Sequence, residues 1–236
     1  MTQAVFGGHV DIHSGGVDLK FPHHTNEIAQ SESYNQCEPN GWCSQWIHTG
    51  HMYIDGLKMS KSLKNFILIK DYLSNNEYST QPGRDLRIYL LQHKYSSALH
   101  FSKERIHEAS VYRQRVDNFL AMVSTLELNN HWRYKHNSSG QLLLKDLYEA
   151  KTKVMEALRD DINTPLALGI VSDLIGKASI YIHQFAATRS PLEPLFEVKL
   201  FIVDFFQKLG VLSAEQSKVE ALKVARILIH ILVKAR

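Results

Sequence analysis

Two kinds of apolar pattern divide this chain. Beyond Gly83 the apolar positions return every three or four residues, the spacing of one helix face. Leu86, Tyr89, Leu90 and His93 begin the series, and Ala109, Tyr112, Val116, Phe119, Leu120 and Val123 continue it. Leu143, Leu147, Ala150, Val154 and Leu158 form a third stripe. Leu166, Ile170, Leu174, Ala178, Tyr181 and Phe185 form a fourth, between Pro165 and Ala187, with Thr164 as a helix start. Two more helices are predicted over 195–209 and 214–234, parted by Gly210. The linkers Asn137-Ser138-Ser139-Gly140 and Ser190 to Pro194 are short and polar. Short linkers between amphipathic helices predict an antiparallel bundle.

The first 83 residues keep no such period. Val10 and Ile12 fit the end of a parallel strand, and Gly15-Gly16 reads as a turn. Pro22 suits the first position of a helix, where its missing N–H costs nothing, and the helix is predicted to run to about Tyr34. Asn35 to Gly41 is a loop. Bulky residues from Trp42 to Tyr53 end at a turn signal, Ile54-Asp55-Gly56. An apolar stretch from Phe66 to Leu73 is followed by a second loop, Asn75 to Gly83. The pattern is therefore α/β followed by all-α.

Composition narrows the class. Apolar residues make up 44% of the 236, enough for a sizeable core. The 27 basic and 24 acidic residues nearly balance, so charge permits RNA binding without arguing for it. Two cysteines, Cys37 and Cys43, do not make a disulfide scaffold and read as free thiols. The N-terminus lacks a basic region followed by an apolar run. The longest apolar run, Ile227 to Val233, is interrupted by His230 and is too short to span a bilayer. These features place the chain in the cytoplasm, with no membrane association.

Candidate chemistry concentrates between Asp11 and Asn65. On the predicted helix, His23 and Glu27 share a face and can reach one metal ion, while His24 points about 100° away. Gly15 and Gly16 beside Asp18 allow close approach of a ribose or phosphate to the backbone. Lys58-Met59-Ser60-Lys61-Ser62 follows a turn, and its two lysines can hold polyphosphate as charge builds. His48, Thr49 and His51 form a small polar cluster suited to support. Trp132-Arg133-Tyr134-Lys135 interleaves aromatic and basic residues, a weak RNA signal beside the simpler reading of a solvated loop.

The pentapeptide Lys58 to Ser62 is the class I aminoacyl-tRNA synthetase signature letter for letter. The run Gly15 to Ser31, Gly-Gly-Val-Asp-Leu-Lys-Phe-Pro-His-His-Thr-Asn-Glu-Ile-Ala-Gln-Ser, narrows the likeness. The chain resembles the cysteinyl-tRNA synthetase family. That resemblance implies the C-terminal half of a Rossmann-like catalytic domain over 1–55. It implies a small connecting subdomain with the KMSKS loop over 56–100, and a tRNA-contacting antiparallel helical bundle over 101–236. It implies cysteine, ATP with Mg²⁺, and tRNA(Cys) as substrates, with Lys58 and Lys61 catalytic. Gly15, Gly16, Asp18 and Lys58, Met59, Ser60, Lys61, Ser62 would bind the nucleotide, with Asp18 near the ribose and His13 lining the same pocket. One Zn²⁺ per chain would be held by His23 and Glu27 together with two cysteines upstream of this segment. Cys37 and Cys43 do not match those positions. Zinc would select a thiolate over serine or alanine, removing the need for editing.

Two departures qualify the likeness. No His-x-Gly-His-type signature precedes residue 11, so a fragment inactive on its own is expected. Thr25 stands where the family usually has an acidic residue. Two alternatives share the motifs: a ligase passing activated cysteine to an amino-sugar, and a truncated non-catalytic paralogue that binds RNA or another partner.

Overall fold

A parallel strand needs a crossover to return the chain to the start of its neighbour, and the first half of the protein is built on one. The computed structural model describes residues 2–39, 41–60, 62–75, 77–129, 138–188 and 191–213. A short helix, α1 (Thr2–Phe6), precedes strand β1 (Val10–Gly16). Helix α2 (Thr25–Asn35) then carries the chain back to strand β2 (Cys43–Thr49), which lies parallel to β1. The register sets Val10 opposite Cys43, Gly15 opposite His48 and Gly16 opposite Thr49.

The predicted Gly15-Gly16 turn is instead the paired end of β1. The chain turns just beyond it, through a tight 3-10 turn at Val17–Leu19 and a wide turn at Lys20–His24. Phe21 is extended (φ −142°, ψ 133°), the conformation that a following proline imposes. Regular α-helix therefore starts at Thr25, three residues later than Pro22 suggested.

A second sheet has strand β3 (Met52–Ile54) at its centre. Strand β4 (Leu57–Lys58) pairs with it antiparallel, and strand β5 (Leu99–Phe101) pairs with it parallel. Asp55 (φ 51°) and Gly56 (φ 75°) both take left-handed backbone, which gives the tight hairpin whose twist matches the strands. The hairpin sets Lys58 opposite Tyr53. Three residues are too few for alternation to show, so β5 left no mark in the pattern.

The chain forms two compact units. One comprises Met1–Leu68 and His93–Ser102 and holds both sheets. The other comprises Ile69–Gln92 and Lys103–Arg236; its described part is helical. Its helices are α3 (Ile69–Ser74), α4 (Pro82–Leu91), α5 (Lys103–Asn129), α6 (Ser138–Arg159), α7 (Thr164–Thr188) and α8 (Glu193–Lys208). Helix α4 packs on α5, and α6 packs on α7 and α8. The predicted stripes of α5 and α6 supply the core: Ala109, Val116, Phe119 and Val123 are buried, as are Leu143, Leu147, Ala150 and Val154. In α7 the predicted stripe is buried at Leu174, Ala178 and Tyr181, while Leu166 at its start is 51% exposed. This helix is apolar on most of its circumference, so residues beside the stripe, Ala167, Leu168 and Val171, are buried as well. The segment predicted as a helix over 214–234 and the Trp132–Lys135 cluster lie outside the described residues.

This core also contains charge. Asp85 is fully buried and accepts from Arg113 Nε (2.6 Å) and from the Ser79 hydroxyl. Arg113 reaches on to Asp117 (3.0 Å), which Arg84 grips with both terminal nitrogens (2.7 and 3.1 Å). Lys199 on α8 pairs with Glu127 on α5 at 2.9 Å, both side chains being almost wholly buried.

Two outcomes are expected. Arg113→Met strands the Asp85 carboxylate and should lower stability by about 3 to 5 kcal/mol in urea unfolding, against about 0.5 kcal/mol or less for Lys208→Met in an exposed pair. Burial, reinforced by the Asp85 charge, pushes the Tyr72 phenol up from 10.0 to about 12. The raised value favours the neutral form. Its stabilising contribution is complete below pH 10 and is lost as pH rises through 12, so Tyr72→Phe should flatten the alkaline limb of the unfolding curve.

Candidate metal and nucleotide site

Glu27 lies in the first turn of α2 and its two oxygens face two different imidazoles. His13, from β1, approaches Oε2 at 2.9 Å through Nε2. His23, one turn earlier, approaches Oε1 at 3.5 Å. His24 is 3% exposed and completes the group: His13, His24 and Glu27 each offer a ligand atom, all within 4.8 Å of one another. His24 Nδ1 is hydrogen-bonded to His48 Nε2 on β2 (2.8 Å). Trp46 meets His13 edge-on (4.8 Å, 90°) and stacks parallel to His48 (6.2 Å, 6°). Burial pushes the His24 imidazole below its usual range, and neighbouring His13 adds to this. The neutral form is the one that ligates metals.

The backbone of β1 makes room for this cluster. A Cβ on Gly15 would lie 2.7 Å from His24 Cε1 and 2.9 Å from its Nε2. Gly15 is thus glycine because an imidazole lies against it. Gly16 has its own neighbour: a Cβ there would meet Asp18 Oδ1 at 2.6 Å.

The structure brings the predicted pair His23 and Glu27 together and adds two histidines to it. His13, expected in the nucleotide pocket, bonds Glu27 instead. His24, expected about 100° from His23, joins the cluster because it stands three residues before Glu27, and i, i+3 positions share a helix face. The signal for His13 was present in the strand: His13 and Gly15 are two apart and share one face. Imidazole nitrogens with a carboxylate make a donor set suited to Zn²⁺, and these residues fit such an ion.

A second group lies beyond Gly16. Lys58 Nζ donates to Asp18 Oδ2 (3.3 Å) and to His51 Nε2 (3.1 Å), and His51 Nε2 lies 3.7 Å from Asp18 Oδ1. The hydrogen bond from Lys58 holds the Asp18 carboxyl below the usual carboxylate range. The residues after β4 form a cinched turn. Met59 N–H donates to Met52 O (2.8 Å), and Ser60 N–H donates to Asn65 Oδ1 (2.9 Å). Asn65 Nδ2 donates back to Lys58 O (3.2 Å), and the Ser60 and Ser62 hydroxyls are 3.2 Å apart. Sequence reasoning passed over Asn65, whose position just after the pentapeptide was its only signal. Lys61 lies outside the described residues.

Residues 1–111 match the family model described as the class I (C) catalytic domain of tRNA synthetases, and residues 153–213 match the DALR domain. Residues 1–111 belong to the class I tRNA synthetase catalytic-domain family. It is 38% identical to the cytoplasmic cysteine–tRNA ligase of Dictyostelium discoideum, covering 80% of this chain and 28% of that protein. Identity to the cysteine–tRNA ligase of Encephalitozoon cuniculi is 34%, over 92% of this chain and 43% of the relative. Identity to the human cytoplasmic cysteine–tRNA ligase is 33%, over 92% and 29%. The chain thus spans 28 to 43% of the length of these relatives. Among solved structures, LeuRS in a LeuRS–tRNA–LeuAMS complex from Agrobacterium radiobacter matches with a TM-score of 0.66. The match is at 14% identity over 83% of this chain and 25% of the other, a likeness of fold alone. A mixed α/β region followed by a helical part is the architecture that this synthetase family and the structure share.

The two glycines should respond differently to a methyl group. Gly15→Ala drives Cβ into the buried His24 ring and should cost about 1 to 3 kcal/mol in thermal unfolding of the chain. Gly16→Ala displaces only the exposed end of Asp18 and should stay within about 0.5 kcal/mol of the parent.

Proposed function

We propose that this synthetase chain takes part in charging tRNA(Cys) with cysteine through a cysteinyl adenylate. The observation that carries the reading is Lys58, first residue of the signature pentapeptide, held on the β3–β4 hairpin within hydrogen-bond reach of Asp18. Asp18 takes the ribose hydroxyls of ATP, and the backbone at Gly15 and Gly16 lies along the adenosine. Lys58, Met59, Ser60, Lys61 and Ser62 hold the phosphates together with Mg²⁺. The cysteine carboxylate attacks the α-phosphorus, pyrophosphate leaves, and the lysines offset the charge that builds on it. The terminal ribose hydroxyl of tRNA then attacks the activated carbonyl and AMP departs. Neither step needs a covalent bond to the protein.

His23 and Glu27 are proposed to hold one Zn²⁺, with His13 and His24 beside them orienting the carboxylate and closing the site. When bound, the ion supplies a partner that a thiolate satisfies and a hydroxyl or methyl does not. His48 fixes the ring orientation of His24, a hydrogen bond of the kind that sets which nitrogen faces a metal. The helical unit is proposed to contact the tRNA. The names of the curated relatives support cysteine as substrate and the cytoplasm as location.

The test is cysteine-dependent exchange of pyrophosphate into ATP by the full-length enzyme carrying this segment, with serine as control, followed by charging of tRNA. Exchange stimulated equally by serine would overturn the assignment. His23→Ala is expected to lose bound zinc and to weaken cysteine binding; unchanged zinc content and unchanged cysteine affinity would remove His23 from the site. Lys61→Ala should slow exchange by about 2 to 4 kcal/mol in activation free energy while sparing cysteine affinity, and exchange within twofold of the parent would rule that role out.

A further inference from the structure

Of the polar clusters outside the histidine–glutamate group, the one around Lys58 has a member with no role so far. His51 precedes β3, and its main chain is fixed there: its carbonyl accepts from Leu99 N–H (2.8 Å), and Gly50 N–H donates to Tyr95 O (2.9 Å). Its side chain is 22% exposed and presents Nε2 to Lys58 Nζ at 3.1 Å. A lysine ammonium only donates, so Nε2 here is an acceptor and the ring carries its proton on Nδ1.

Lys58 therefore has two partners of different kinds. Asp18 is an exposed carboxylate that a ribose also claims under the proposed function. His51 offers Lys58 a ring nitrogen from a hydrogen-bonded frame, and neither ribose nor phosphate has to displace it. Lysine carries its charge on a flexible four-carbon stem, and holding it in one place requires an anchor. We infer that His51 is the positioning residue of Lys58: it anchors the ammonium at the mouth of the cinched turn as the Asp18 carboxylate passes from Lys58 to an incoming nucleotide. This rests on the nucleotide reading of Asp18 and Lys58 and adds to it a residue outside the signature pentapeptide. Asp18, Lys58 and His51 close on one another, and the nucleotide opens only the Asp18 side of that clasp.

Amine labelling of the chain, read residue by residue by mass spectrometry, tests this. An ammonium held by two partners acylates slowly. Without nucleotide, His51→Leu should speed labelling of Lys58 by about fivefold, the cost of one hydrogen bond to a half-exposed charge, while His51→Gln, which keeps an acceptor, should restore the slow rate. Lys20, exposed on the same unit, should label equally in all three and normalises the reagent dose. With ATP added, Lys58 of the parent should be protected further, and half-protection should need about fivefold more ATP in His51→Leu than in the parent or in His51→Gln. Equal Lys58 rates in the parent and His51→Leu, or a His51→Gln variant that behaves as His51→Leu, would overturn the anchoring role. Faster labelling in His51→Leu together with no protection of Lys58 by ATP in any variant would uphold the anchor and overturn the nucleotide reading instead.

Discussion

The contact between Gly15 and His24 is the constraint on which the first unit depends. An imidazole fills the space where a side chain on β1 would begin. With that ring buried, its Nδ1 can reach His48 on the neighbouring strand, and the β1–β2 register places Gly15 directly opposite His48. The same placement leaves Glu27, one turn further along α2, between His13 and His23. A change of one residue in the strand register would turn His13 away from Glu27 and put a side chain against His24. Strand pairing, helix entry and the donor cluster are therefore one packing solution.

How far the sequence could be read follows from this. The lysine–serine turn, the Asp55-Gly56 hairpin and the His23–Glu27 pair depend on neighbours in sequence, and local pattern was enough to find them. His13 depends on a strand meeting a helix that local pattern does not link to it, and His24 belongs to the cluster through Glu27, three residues on, rather than through His23. Gly15 and Gly16 were legible as positions where a side chain cannot intrude. What intrudes in its place, an imidazole at one and a carboxylate at the other, was not. In the helical unit, α5 and α6 had one apolar face each and declared it. In α7 the stripe held at Leu174, Ala178 and Tyr181 and failed at Leu166, where apolar neighbours on either side left packing to choose.

The helical unit gains specificity from charges placed in its core. A buried Asp85 is tolerable only where Ser79 and Arg113 arrive together, and Arg113 in turn shares Asp117 with Arg84. These residues come from the approach to α4, from α4 itself and from α5. Apolar packing alone would let α4 slide along α5, since one Leu or Val serves about as well as the next. A buried carboxylate has a single acceptable position, so the network fixes the axial setting of the two helices.

Strand β3 takes one partner from the residues just after it and the other from more than forty residues downstream, beyond α3 and α4. During synthesis the β3–β4 hairpin can close as soon as Lys58 has emerged, but its free edge must wait until Phe101 has been made. In that interval the hairpin is a two-stranded ribbon, a form that is marginal in water and offers an open edge to other chains. The helices that intervene, α3 and α4, are six and ten residues long, too short to hold alone, and α4 packs on α5, which is made only after β5. The chain between the hairpin and its missing strand thus waits for its own partner as well. A ribosome stalled between Gln92 and Leu99 would leave that sheet unfinished however long it waited.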